Sequence, residues 1–201
     1  MENKRHPAYR LAFVGVMAAL VYVVTLFRFP LLGSKVHFAN AMCLLSGLLL
    51  GGGYGGAAAG LGSALYDLLA GGYDPLQALI TFVSKFAMAW VCAKVSGREK
   101  GHGSLGRDYL ASLLGALTYI ALYMLKTFIY KSYVTPVPAD TLGAVMVSKL
   151  IPSLINGGVA VLVTPLLMQA MLPALRRAGV SDVLRGAASC AGEAGDHRRH
   201  L

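Results

Sequence analysis

The sequence predicts an all-α, polytopic membrane protein, a compact bundle of six transmembrane helices. Three observations carry this reading. Of 201 residues, 56% are hydrophobic and only 13% are charged, about half the charged share of a soluble domain. The mean hydropathy is +0.62, and uncharged runs long enough to cross a bilayer recur along the chain. The formal charge of +9 gathers between those runs and at the ends, as on the cytoplasmic face of a membrane protein. A soluble globular enzyme, a disordered chain and a nucleic-acid-binding protein are thereby excluded.

The first predicted helix covers Leu11 to Phe27. It follows Lys4, Arg5 and Arg10 and precedes Arg28-Phe29-Pro30 instead of a small-residue cleavage site, so it is retained. Phe38 to Tyr66 is uncharged and too long for one straight span; Gly51-Gly52-Gly53-Tyr54-Gly55-Gly56 predicts a hinge joining two short helices. Pro75 to about Val95 is the fourth span, with Lys85 as its charge. Tyr109 to Tyr130 is the fifth, with Lys126 near its end. The sixth, Asp140 to Leu172, would rise about 50 Å, so Pro152 and Pro165 predict kinking or tilting. Residues 1–177 form the transmembrane domain, and 178–201 are expected to be a disordered cytoplasmic tail. An even number of spans puts both termini on one side, and the lysine and arginine excess there makes that side the cytoplasm.

Asp67, Lys85, Lys126 and Lys149 fall within the spans, all in the predicted outer half of the bilayer. An ionisable side chain facing lipid costs about 2.5–3.5 kcal/mol even on a lenient insertion scale. Four of them argue for an interior cavity open to the outside. Their neighbours fit one: Gln77, Thr81 and Lys85 share a helix face. Tyr119, Tyr123, Lys126 and Tyr130 form an aromatic stripe, and Lys149, Ser153 and Asn156 align on the last helix. Aromatic faces stack a planar ring while a few polar groups orient it. The candidate substrate-binding residues are therefore Asp67, Thr81, Lys85, Tyr123, Lys126, Lys149 and Asn156.

Plainer roles stand beside these. Lys126 has the length to snorkel to the headgroups, Asp67 can be a structural partner of Lys85, and Tyr119 and Tyr123 can be helix packing. Tyr130 and Tyr133 suit the membrane interface. The small-residue repeats from Gly47 to Gly60 suit close packing within the fold. Gly15-x-x-x-Ala19 on the first helix suits either internal packing or a partner subunit.

No Gly-Lys dipeptide occurs, so the chain has no phosphate-binding P-loop. Its five histidines lie in loops or tails. Cys43, Cys92 and Cys190 have no metal-ligand spacing, and paired carboxylates are missing from the spans. The expectation is a protein that binds, with no catalytic residues, no metal, no cofactor and no motor.

The stretch from Gly47 to Gly97 resembles the substrate-binding S components of energy-coupling factor (ECF) vitamin transporters, and the likeness extends over roughly Arg10 to Leu172. It is carried by Gly-Leu-Leu-Leu-Gly-Gly-Gly-Tyr-Gly-Gly leading into Ala64-Leu65-Tyr66-Asp67-Leu68-Leu69-Ala70-Gly71-Gly72. The segment Ala78-Leu79-Ile80-Thr81-Phe82-Val83-Ser84-Lys85-Phe86 carries it further. The riboflavin-type branch, mixed in substrate, is the most similar. The resemblance implies a subunit of the bacterial cytoplasmic membrane that captures a water-soluble vitamin or precursor from outside. Its implied partners are a transmembrane coupling protein and two cytoplasmic ATPases. Gly15 and Ala19 occupy the place of the family's Ala-x-x-x-Ala face toward the coupling protein. The tyrosine stripe favours a small heteroaromatic ligand, whereas three lysines against one aspartate point to an anionic group. The alternative, a self-sufficient secondary transporter or channel, lacks the internal three-plus-three repeat common in such proteins.

Overall fold

Residues 5–31, 34–98 and 102–177 are described by a computed structural model; the predicted tail, 178–201, lies outside the described residues. Helix α1 (Arg5–Leu26) leads into two short strands, β1 (Arg28–Leu31) and β2 (Ser34–His37), followed by α2 (Ala39–Tyr66). A π-helical turn, Asp67–Gly71, extends α2; then come α3 (Pro75–Ser96) and α4 (Leu105–Ile129). A second π-turn, Tyr130–Val134, precedes the long α5 (Ala139–Arg177). Among the described residues four segments are long and apolar enough to cross a membrane: Ala39–Gly71, Pro75–Ser96, Leu105–Val134 and Ala139–Leu175. In α1 the apolar stretch Arg10–Leu26 is shorter.

Local chemistry sets the ends of α3 and α4. Asp74 caps α3, its carboxylate accepting from the Gln77 amide, with Pro75 in the first turn and Gly97 at φ +64° closing the helix. Ser104 caps α4 in the same way through the Arg107 amide. The cap starts α4 at Leu105 instead of the expected Tyr109, which brings Asp108 into the helix. There Asp108 is fully buried and takes a bidentate ion pair from Arg98, whose Nε lies 2.8 Å from Oδ1. Charges this close to a predicted basic loop read as solvated, and nothing local in the sequence marks the pair as buried. A further departure from an all-α chain is the hairpin, with Arg28 opposite His37 and Leu31 opposite Ser34. The last helix runs on to Arg177 with Pro152, Pro165 and Pro173 inside it.

Helix α2 is broken at Gly51, whose φ of 81° and ψ of 179° belong to no helix. Only glycine adopts that conformation at little cost. The two arms fold back on one another: Cys43 Sγ lies 3.7 Å from Ser63 Oγ, and Ser46 Oγ lies within hydrogen-bond distance of the Gly55 carbonyl. Arg10 over Tyr54, Ala18 against Gly62 and Tyr22 edge-on to Tyr66 keep a constant offset, so α1 and the second arm run parallel. The hairpin and the turns at 72–74 and 135–138 therefore share one end of the bundle. Gly51 and the Arg98–Asp108 pair mark the other.

Packing is by small residues inside and large apolar residues outside. Ala58, Ala59, Ala89 and Ala111 are fully buried, whereas Leu69, Leu79 and Leu162 are 73%, 60% and 62% exposed. Such a surface would aggregate in water and is at home in lipid. The small-residue repeats after Gly51 seat α3. A Cβ at Gly52, Gly56 or Gly60 would come within 2.8 Å of the rings of Trp90, Phe86 and Phe82 respectively. Three aromatics at four-residue spacing thus lie in three glycine notches at the same spacing.

Replacing Gly56 by valine should therefore destabilise the protein by about 1–3 kcal/mol through overpacking. Gly53→Ala, where an added Cβ meets nothing within 4 Å, should be neutral or stabilising by up to about 1 kcal/mol. Thermal unfolding of the detergent-solubilised variants checks both; equal melting temperatures for the two would refute the notch packing.

Candidate functional site

A cavity of about 460 Å³ opens at the hairpin end. Every helix contributes to it: Thr25 from α1, Ala39, Ser63 and Tyr66 from α2, Gln77, Thr81, Ser84 and Lys85 from α3. From α4 come Tyr119, Tyr123, Lys126 and Thr127, and from α5 Lys149, Ser153 and Asn156. Asp67, Tyr130 and Lys131 enter from the π-turns and His37 from β2. All seven candidate residues of the sequence reading, Asp67, Thr81, Lys85, Tyr123, Lys126, Lys149 and Asn156, line this one cavity. Each predicted stripe reached it because residues three or four apart on a helix share a face.

The floor is organised by Lys85, 4% exposed. Its ammonium donates to Asn40 Oδ1 and sits 3.6 Å from the centre of the Tyr119 ring. One cation thereby joins the start of α2, the middle of α3 and α4. A desolvated ammonium on an aromatic face gains about 2 kcal/mol. Tyr119 stacks in turn on Tyr123, with centroids 5.9 Å apart and planes at 24°. The sequence reading missed Asn40, though an asparagine just inside a long uncharged run was a signal for a polar partner.

Across the cavity Asn156 Oδ1 accepts the backbone N–H of His37 at 2.9 Å, tying the hairpin to α5. At the rim, the Tyr130 hydroxyl donates to Asp74 Oδ2 at 2.8 Å, and Gln77 Nε2 donates to the same oxygen at 2.9 Å. These donors and the Gln77 amide hold the Asp74 carboxyl below the usual carboxylate range, the amide contributing most. The rim contact is thus in place above the ordinary Asp value of about 4 and is lost only as pH falls through the lower folded value. Lys126 lies 6.0 Å from the Tyr73 ring centre, and Lys131 Nζ is 3.3 Å from Thr135 Oγ1. Gly15 and Ala19 lie apart from the cavity on the exposed face of α1, and a Cβ on Gly15 would meet nothing within 4 Å.

The arrangement suits non-covalent capture: aromatic walls, several ammonium groups, and hydroxyls and amides at fixed places. Among the described residues no group of three or more His, Cys, Asp or Glu side chains is placed to hold a metal ion.

A family model for the ECF-type riboflavin transporter, S component, matches residues 7–172. No curated protein sequence matches. Among solved structures, one described as the S component of a bacterial ECF transporter superposes with a TM-score of 0.66 at 16% identity. The match covers 84% of this chain and 98% of that one, a likeness of fold.

If the Lys85–Asn40 contact organises the floor, Asn40→Leu should cost about 1–3 kcal/mol by leaving a buried ammonium short of an acceptor. Adding Lys85→Met to that variant should recover most of the loss, since removing both polar partners is nearly neutral. A double-mutant cycle on thermal unfolding measures the coupling; additive effects would contradict it.

Proposed function

Because the chain belongs to the family of ECF-type riboflavin transporter S components, we propose that it is the membrane-embedded capture subunit of an ECF transporter for a small heteroaromatic vitamin or precursor. On this reading the two arms flanking Gly51 cross separately, for six crossings in all, with both termini cytoplasmic and the cavity mouth outside. The observation that carries the reading is the cavity itself, a volume of about 460 Å³ within the usual range for small-molecule sites. The Tyr119–Tyr123 stack supplies a wall for a planar ring, and Asp67, Thr81, Lys85 and Asn156 supply orienting groups. Energy comes from elsewhere: the sequence has no P-loop, and a transmembrane coupling protein with two ATPases is the family's source of it. Gly15 and Ala19, exposed on α1, suit docking of that coupling protein by close helix approach.

Lys85→Ala and Asp67→Ala should each weaken ligand binding by at least about a hundredfold, roughly 2.7 kcal/mol, with the protein still inserted and monodisperse. The ligand is to be identified by mass spectrometry of small molecules that co-purify, then titrated in detergent. Unchanged affinity in both variants would remove the site assignment.

Uptake in cells should require co-expressed coupling and ATPase subunits, and Gly15→Leu should impair co-purification with them while leaving titrated affinity unchanged. Uptake by the chain alone would favour a self-sufficient transporter.

A further inference from the structure

Charge in the cavity is unbalanced in a way that a neutral vitamin does not answer. Lys85, Lys126, Lys131 and Lys149 line it against a single acidic residue, Asp67, four positive charges minus one negative. Counting the rim carboxylate of Asp74, already engaged by Gln77 and Tyr130, still leaves a surplus of two. Ionisable groups at membrane depth are costly unless compensated, and they mark what passes through the site.

The cations are also segregated. Lys85 is spoken for at the floor by Asn40 and the Tyr119 ring. Because α4 runs toward the hairpin end, Lys126 and Lys131 lie nearer the mouth than the stacked pair Tyr119 and Tyr123. Lys149 faces the same cavity from α5 and precedes Asn156, which holds the hairpin strand at His37. An aromatic wall therefore lies below and a ring of ammonium groups above.

Resting on the capture reading, and deepening it, we propose that the ligand carries an anionic oxygen group, a phosphate or a carboxylate, at the end of the molecule opposite its ring. The ring enters first against the tyrosines, and the anion stays near the mouth between Lys126, Lys131 and Lys149. Lysine, a flexible point charge, can follow an anion of either geometry, without the bidentate match of an arginine fork.

The test uses matched probe pairs on the full-length protein in detergent, by calorimetric titration at low salt: riboflavin against riboflavin 5′-phosphate, and nicotinamide against nicotinate. The anionic member of at least one pair should bind about tenfold tighter or more, and the pair that responds tells phosphate from carboxylate. That advantage should shrink at high salt as the ammonium groups are screened. It should also shrink in Lys126→Gln, Lys131→Gln and Lys149→Gln, each checked for folding by thermal unfolding. Neutral members binding as tightly as their anionic partners would overturn the proposal and leave the capture reading standing. If none of the four binds, the co-purified ligand decides: a neutral molecule overturns the proposal and leaves the capture reading standing, whereas an anionic one whose binding weakens in the three lysine variants supports it.

Discussion

The structure turns on a single buried ammonium. Lys85 lies where water is scarce, and a cation there persists only if the protein replaces its hydration shell. Asn40 and the face of Tyr119 do so, and they come from elements far apart in sequence. The solvation requirement of one group thus fixes how the first arm of α2 and α4 meet α3. The same constraint makes the floor of the cavity, since the tyrosine that solvates Lys85 also stacks on Tyr123.

That junction needs helices close enough for short polar side chains to reach across, and the glycines provide it. Trp90, Phe86 and Phe82 sink into the notches of Gly52, Gly56 and Gly60. Gly115 lets α4 approach Leu44 and Met88 of its neighbours. In lipid there is no hydrophobic drive to bring helices together, so such close contact supplies much of the association energy. Large side chains are then left for the outer surface, which is why so many leucines are exposed.

How much of this the sequence discloses follows from the range of each interaction. The helical stripes were legible because they are local: Gln77, Thr81 and Lys85 report their shared face through spacing alone. The hinge was legible as well, since a glycine run interrupts a stretch too long for one span. What stayed hidden was non-local or depended on burial. Nothing near Asn40 in sequence says that it meets Lys85, and the bond from His37 to Asn156 spans most of the chain. Arg98 and Asp108 look like ordinary loop charges until the cap at Ser104 starts α4 early and buries the aspartate. The β-hairpin is too short to show an alternating pattern, and Pro30 within it argues against a strand.

The two ends of the bundle differ in what it costs to open them. At the far end the Arg98–Asp108 pair is buried, and removing one partner of such a pair costs about 3–5 kcal/mol because it strands a charge. At the mouth the ties include the exposed Asp74–Tyr130 hydrogen bond and the part-buried one from His37 to Asn156. Each is worth about 0.5–1.5 kcal/mol, or somewhat more where a carboxylate accepts. By these contacts the hairpin end, where the cavity opens, is the more lightly tied of the two. The cavity thus opens where local hydrogen bonds hold the bundle, away from the end pinned by a buried ion pair.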